Sequence, residues 1–295
     1  MICKMCPHEC GVDRKTKIGR CKAKEEVTLS LVSLHQFEEP CISVGNGSGT
    51  IFFSGCNLSC VYCQNSDISQ DIKGKIVSID RLANIFIEQQ QRGAQNINLV
   101  TPSIYVYQIK EAIIKAKKKG LTIPIIYNSS GYDKVETLKE LKGLIDIYLP
   151  DFKYASDKLG EKYSKVSNYS TIAKEAIKEM VRQVGQAKID ENGKLLSGVI
   201  IRHMILPNNI LNTKQCLKWI KDNFGSEMHI SIMAQYFPTN KVNEREYKEI
   251  NRKLNEDELN KVKECICELE FENGYIQEIE NDEEKYVPKF NCENV

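Results

Sequence analysis

Three cysteines, Cys56, Cys60 and Cys63, stand in a C-x3-C-x2-C spacing inside Gly55-Cys56-Asn57-Leu58-Ser59-Cys60-Val61-Tyr62-Cys63-Gln64-Asn65. Thiolates crowded in this way can wrap one face of a cuboidal [4Fe-4S] cluster, binding three irons and leaving the fourth without a protein ligand. An iron left open can take a chelating small molecule, and a thiolate-held cluster of low potential can pass that molecule one electron. The competing reading is three ligands of a zinc site that borrows a fourth from elsewhere.

A second group lies upstream: Cys3, Cys6, Cys10 and Cys21, with Pro7-His8 inside the run and Gly19-Arg20 before its last member. Four thiolates have the ligand count for zinc or for a second Fe-S cluster, and spacing does not choose between them. Free or redox-active thiols are the alternative. His8 is a candidate to replace one thiolate, although a solvated loop histidine is the commoner case. The chain has 12 cysteines, 8 of them in the first 63 residues. Met1 opens onto a Cys/Lys-rich segment rather than an export signal, so metal ligation is expected over disulfides. Cys41 is expected as a buried thiol, with a hydrogen-atom donor at the site as the alternative. Cys216 reads as core and Cys292 as tail, while Cys265 and Cys267 fall about 200° apart on a helix and cannot share a metal.

These groups need a scaffold to position them, and 295 residues suffice for a full core. A formal charge of +1, with 27% charged and 41% hydrophobic residues, describes an ordinary globular chain and excludes collagen-like and disordered classes. It gives no general attraction to nucleic acid or to a membrane surface. The longest apolar runs fall short of the ~20 residues of a membrane span, and the expected address is the cytoplasm. β-rich runs near 50–54, 97–101, 123–129, 145–152, 199–206 and 230–236 alternate with helical patterns, which predicts parallel βα units. Ser78 precedes Leu82, Ile85 and Phe86 at helical spacing, and Val106, Ile109, Ile113 and Ala116 run into Lys117-Lys118-Lys119-Gly120. Those are a helix start and a helix stop. Ile177, Met180, Val181 and Val184 precede Gly185 in a third such helix. Asn192-Gly193 predicts a hairpin before the fifth strand, and Asn255 with Glu258 predicts a capping box on the last helix. The expected division is a Cys-rich metal-binding extension over 1–48, a barrel over 49–240 and a C-terminal helix and tail over 241–295.

The cysteine spacing, the aromatic Tyr62 and the strand-loop position resemble the radical S-adenosylmethionine (SAM) superfamily. More narrowly, the chain resembles the pyruvate formate-lyase-activating-enzyme-like (PflX-type) branch. That likeness rests on His35-Gln36-Phe37-Glu38-Glu39-Pro40, Gly47-Ser48-Gly49-Thr50-Ile51-Phe52-Phe53-Ser54-Gly55-Cys56, Cys63-Gln64-Asn65, Asn98-Leu99-Val100-Thr101-Pro102-Ser103, residues 146–153 and Gln235-Tyr236-Phe237-Pro238. The resemblance implies an α/β fold, a partial (β/α)6 barrel. It implies an oxidoreductase in which SAM bound to the open iron is reductively cleaved to methionine and a 5′-deoxyadenosyl radical that abstracts a substrate hydrogen atom. An electron donor such as flavodoxin or ferredoxin is implied with it.

Active sites of βα barrels lie at the C-terminal strand ends. Where many relatives carry Gly-Gly-Glu-Pro to receive the SAM ammonium, this chain has Thr101-Pro102-Ser103, so the hydroxyls and carbonyls of Thr101 and Ser103 are the expected acceptors. Asn128, Ser129, Asp151 and the Leu149 carbonyl resemble a monovalent-cation site beside the SAM carboxylate, the alternative being a plain Asp151–Lys153 ion pair. Tyr62, Lys153 and His203 complete the expected cofactor-binding set, although Arg202 and His203 are strand neighbours and cannot both face inward. A glycyl radical enzyme as substrate would need a mouth open to backbone with few fixed polar groups. Modification of a small molecule or peptide would need convergent charged anchors, for which Lys153, Arg202 and His203 are the candidates. A non-catalytic metal-binding scaffold is the third reading.

Overall fold

Gly49 to Phe53 is a short β-branched and aromatic run between glycines, the pattern of a strand buried on both faces. It forms the start of a parallel sheet in the computed structural model, which describes residues 2–279 and 287–295. The strands are β1 (Val27–His35), β2 (Ser48–Phe53), β3 (Lys75–Val77), β4 (Ile97–Val100), β5 (Ile125–Ser129), β6 (Ile147–Pro150), β7 (Lys188–Ile189), β8 (Leu195–Val199), β9 (Ile201–Met204), β10 (Ile230–Met233) and β11 (Gly274–Ile276). One sheet runs β3-β1-β2-β4-β5-β6-β8-β7 and a second runs β11-β10-β9. Strands β2, β4, β5 and β6 are parallel neighbours, as are β9, β10 and β11. This is an α/β architecture consistent with the expected partial barrel.

The helices follow their sequence signals. Ile79–Gln91 starts where the Ser78 hydroxyl accepts from Arg81 N, and it buries Leu82, Ile85 and Phe86. Val106–Lys118 buries Ile109, Ile113 and Ala116, and its last turn carries Lys115, Lys117 and Lys118, cations that complement the exposed carbonyl end. Tyr169–Val184 buries Ala173, Ala176, Ile177 and Met180 and ends at Gly185. The predicted hairpin is present, with Asp190 N and Gly193 N closing its turn, and so is the capping box at Asn255 and Glu258. Cys265 is buried and Cys267 exposed on that helix, while Cys216 is in the core.

Two features go beyond the sequence expectation. Within the expected 1–48 extension, residues 27–35 form a strand that pairs antiparallel with β2 and with β3 and so extends the sheet. The last described residues return to this strand, where Cys292 N donates to Ser30 O and Val32 N to Glu293 O. Second, the run expected as one fifth strand divides at Ile200. Ile200 N still donates to Tyr148 O of β6, but Ile201 N donates to His229 O beside β10. The chain thus leaves one sheet for the other within a single residue.

That step makes a seam, bridged where Asp151 pairs in parallel with Arg202 and Phe152 N donates to Arg202 O at 2.7 Å. Inside the barrel, Arg202 Nε donates to Asp151 Oδ1 at 2.9 Å and Nη2 to Asn128 Oδ1 at 2.6 Å. Lys153 Nζ donates to Asp151 Oδ2 at 2.6 Å. Burial opposes ionisation of Asp151, but the charges of Arg202 and Lys153 outweigh it and hold the carboxyl below the usual range. On the outer side, His203 Nδ1 donates to the Phe152 carbonyl at 2.7 Å, and Nε2 lies 2.9 Å from Thr213 Oγ1 on helix Ile210–Phe224.

Arg202→Met leaves Asp151 and Glu38 facing a lost charge, and removal of one partner from a buried ion pair costs about 3–5 kcal/mol. Urea unfolding of the variant should show a loss of that size. His203 supplies a pH signature. Burial brings its pKa down from the ordinary 6.5 to about 4, so between those values the unfolded chain takes up a proton that the folded chain refuses. Stability should fall as pH drops from 6.5 toward 4, by roughly 2–4 kcal/mol. His203→Gln should flatten this part of the stability–pH curve, and an unchanged slope would refute the assignment.

Candidate active site

The cysteine loop leaves β2 at Gly55, whose φ of +89° turns the chain where a Cβ would strike Ile104, Ile72 and the Cys21 carbonyl. Leu58 and Val61 are buried as apolar plugs, and the backbone is tied on several sides. Gly55 N donates to Ile68 O at 2.8 Å, Val61 N to Tyr163 O at 2.8 Å and Ser59 N to Ser164 O at 3.2 Å. Asn57 Nδ2 donates to Tyr132 O at 2.6 Å. The loop is thereby held before any ligand arrives.

Each thiol has a polar neighbour. Leu58 N donates to Cys56 Sγ at 3.4 Å, Ser164 Oγ lies 3.0 Å from Cys60 Sγ, and Ser69 Oγ lies 3.3 Å from Cys63 Sγ. Tyr62 Oη meets Tyr154 Oη at 2.5 Å, and Tyr154 Oη meets Ser164 Oγ at 2.9 Å, so a chain of hydroxyls ends on the Cys60 sulfur. Burial pushes all three thiols up, Cys60 to about 11, while the Lys153 ammonium pulls the other way. A bound cationic metal centre reverses that balance, because a coordinating thiol is deprotonated outright.

Two of these cysteines, Cys60 and Cys63, border a cavity of about 700 Å³ in the barrel. Cys60, Tyr62 and Cys63 line one part of it, Asn128, Asp151, Lys153 and Arg202 face it from the strand ends, and the 35–40 segment supplies a further wall. Four of the expected SAM-contacting residues stand elsewhere. Thr101 and Ser103 are not among the lining residues: Ser103 is buried with its hydroxyl toward Tyr127 and Asp133. Ser129 donates to Asp133 Oδ2 at 2.6 Å on the opposite face of β5 from Asn128, and His203 is turned outward by the same strand alternation that turns Arg202 inward.

The expected monovalent-cation site also takes another form. Both Asp151 oxygens and the Asn128 amide oxygen accept from Lys153 or Arg202, and Leu149 sits in the β5–β6 ladder. A third cation would meet two fixed positive charges. Sequence reasoning missed Tyr154 and Ser164, which carry no local motif, and it quoted Glu38 and Glu39 only for resemblance. Cys41 is buried off the cavity beside the Tyr275 hydroxyl, and burial pushes its thiol up to about 11.

Cys3, Cys6, Cys10 and Cys21 surround one small cavity. The sulfurs of Cys10 and Cys21 flank Gly19, and turns close through Glu9 N to Cys6 O and Gly11 N to Cys3 O. Burial, with the neighbouring thiols, raises Cys6 to about 12. As they stand, no three Cys, His, Asp or Glu side chains among the described residues are arranged around a single metal-ion position. His8 lines the same cavity, but its Nε2 donates to the Asn57 carbonyl at 2.6 Å, tying this lobe to the cysteine loop. Thr137 Oγ1 to Met5 O at 2.7 Å and Arg14 Nη1 to Ile104 O at 2.5 Å add further ties. Among the described residues, no helix is long and apolar enough to cross a membrane.

Comparison with known proteins places this geometry. An uncharacterized protein of Methanocaldococcus jannaschii is 35% identical over 270 residues, covering 88% of this chain and 72% of the relative. Among solved structures, SuiB of Streptococcus suis bound to S-adenosylmethionine is similar with a TM-score of 0.51 at 13% identity, covering 79% of this chain and 50% of that one. The FeFe-hydrogenase maturase HydG from Carboxydothermus hydrogenoformans gives 0.53 at 15% identity, covering 80% and 55%. The chain spans about half the length of these two structures, and the likeness is one of fold. The model of the radical SAM superfamily matches residues 50–233, from β2 and its cysteine loop through β10, and on that match the chain belongs to the radical SAM superfamily.

Proposed function

We propose that Cys56, Cys60 and Cys63 hold a [4Fe-4S] cluster, and that this radical SAM enzyme acts on a charged small molecule or peptide group admitted to the barrel cavity. The donor set supports the first part: three thiols on one braced loop, each with a hydrogen-bonding neighbour and a shared ammonium counter-charge from Lys153. When bound, the cluster supplies one electron to SAM, whose cleavage yields the 5′-deoxyadenosyl radical. The chain's own contribution is placement. Lys153 balances the thiolates while its ion pair with Asp151 fixes its position, the Tyr62–Tyr154–Ser164 hydroxyls orient the Cys60 sulfur, and the barrel walls limit access of water to a reactive carbon. Tyr62, Asn128, Asp151 and Lys153 face the cavity, and we propose them as the residues that contact SAM.

The observation that carries the substrate reading is the fixed charge inside the barrel. Lys153, Asp151, Arg202 and Glu38 follow one another in alternating sign along the cavity wall. A backbone glycine offered by a glycyl radical enzyme has no use for such anchors, whereas a polar substrate needs them for orientation. The PflX-type resemblance enters here through the 35–40 segment that closes one side of the chamber. A flavodoxin or ferredoxin is the proposed reductant.

For the upstream cysteines we propose a second, structural metal site, zinc or a cluster, that steadies the lobe bonded to the cysteine loop through His8. The four thiols around one cavity support it.

Anaerobic protein given SAM and dithionite should produce 5′-deoxyadenosine, and Cys60→Ala should lose both the cluster spectrum and that product. Retention of either would refute the ligand assignment. With a glycyl radical enzyme from the same organism added, no glycyl doublet should form by electron paramagnetic resonance; a doublet would restore the activase reading. Metal analysis should find zinc or iron beyond the four atoms of the first cluster, and a Cys6→Ser/Cys10→Ser double variant should lose that excess alone. Wild-type protein with four irons, no zinc and four alkylatable N-terminal thiols would eliminate the second site.

A further inference from the structure

The segment after β1 turns back beneath the start of β2, where His35 pairs with Ser48. Its turn is closed by Ile42 N and Ser43 N, both donating to Glu39 O, and by Glu38 N donating to Ser43 Oγ at 3.1 Å. Two consecutive carboxylates are carried in this way to the cavity wall. Glu38 Oε2 lies 3.6 Å from Arg202 Nη1. Glu39 is only 8% exposed, yet its Oε2 has no hydrogen-bond partner. A buried carboxyl oxygen left unmet bears its full desolvation penalty, so it marks a position that a ligand completes.

The charge count has the same sense. Asp151 is shared by Lys153 and Arg202, which leaves Arg202 alone to face Glu38 and Glu39. Burial pushes both glutamate carboxyls up despite that guanidinium, as befits a site one positive charge short. The other polar neighbours, the Ser231 hydroxyl beside Glu39 and the Asn98 amide beside Glu38, are neutral. Apolar side chains of Met204, Met233 and Ile276 line the same cavity. Two carboxylates beside an apolar wall are too few oxygens for a hard metal cation, which takes six or more. They suit a nitrogen cation on an alkyl chain.

We propose that Glu39, with Glu38 and Ser231 beside it, is a substrate subsite that takes the cationic nitrogen of an alkylammonium or alkylguanidinium group. The inference rests on the cavity being the substrate chamber of the proposed reaction. It narrows the substrate to one whose alkyl arm lies along the methionine-lined wall with its charged end on Glu39.

The test is calorimetric titration of the anaerobic, cluster-loaded protein with n-butylammonium, n-butylguanidinium, 1-butanol and butyrate. At least one cation should bind about tenfold or more tighter than the neutral alcohol, and butyrate should not bind. Which cation wins distinguishes an amine from a guanidine source. Glu39→Gln, nearly isosteric, should erase the preference for cations, and Ser231→Ala should weaken it. Equal binding of cation and alcohol, or a preference that survives Glu39→Gln, overturns the site. Should Glu39→Gln fail to fold, the ligand series on the wild type decides alone. Wild-type protein that cleaves SAM but shows no preference for cations overturns this inference and leaves the proposed reaction intact. Protein that binds the cations but never cleaves SAM does the reverse.

Discussion

The ion pair between Asp151 and Arg202 sits where two sheets meet, and both the barrel and its chamber depend on it. One sheet ends its parallel run at β6 and β8, the other begins at β9, and the bridge at Asp151 and Arg202 joins them on the barrel side. Taking these charges out of water costs several kcal/mol per ion, which is recovered only with near-complete hydrogen bonding. Here the carboxylate has two cationic donors and the guanidinium three acceptor groups, Asp151, Asn128 and Glu38. The pair therefore sets strand placement and chamber electrostatics together. A change that loosened the seam would move the anchors as well.

From this seam, positive charge reaches the cysteine loop through Lys153 and negative charge reaches the 35–40 segment through Glu38 and Glu39. Burial raises the three loop thiols and the two glutamates alike, so at each end of the chamber the acids ionise only at a cost that an arriving cation offsets. At one end the cation is the proposed cluster. At the other it is the proposed substrate nitrogen. Such sites are pre-organised: the fold bears the desolvation in advance, and binding relieves it.

The N-terminal lobe is coupled to the same loop through backbone acceptors rather than through ligands. His8 bonds the Asn57 carbonyl, one residue from Cys56, and the Cys21 carbonyl packs against Gly55. Any metal held by Cys3, Cys6, Cys10 and Cys21 would thus stiffen the loop from behind. Lys165, in a left-handed conformation at the end of the turn that carries Ser164, offers its carbonyl to Arg20 at 2.6 Å. The lobe therefore braces both partners of the Cys60–Ser164 contact.

What the sequence determined by itself was local. Cysteine spacing, strand runs, helix caps, the Asn192-Gly193 turn and the capping box at Asn255 are encoded within a few residues, because turn chemistry and hydrophobic period act over that range. The alternation that separates Arg202 from His203 was legible too, but not which of them faces in. That choice belongs to tertiary structure: Arg202 finds Asp151 and Asn128 across the seam, and His203 finds Phe152 and Thr213 behind it. The same holds for Ser103 and Ser129, whose hydroxyls turn toward the buried Asp133 instead of the cavity. The break at Ile200, the pairing of β1 with β2 and β3, and the hydroxyl chain through Tyr154 and Ser164 are invisible to any local window, although the alternation of Val27, Leu29 and Leu31 with Thr28 and Ser30 does mark β1 itself as a strand. They are decided by which segments meet in space, and partners separated by 51 to 104 residues leave no periodic mark on the chain.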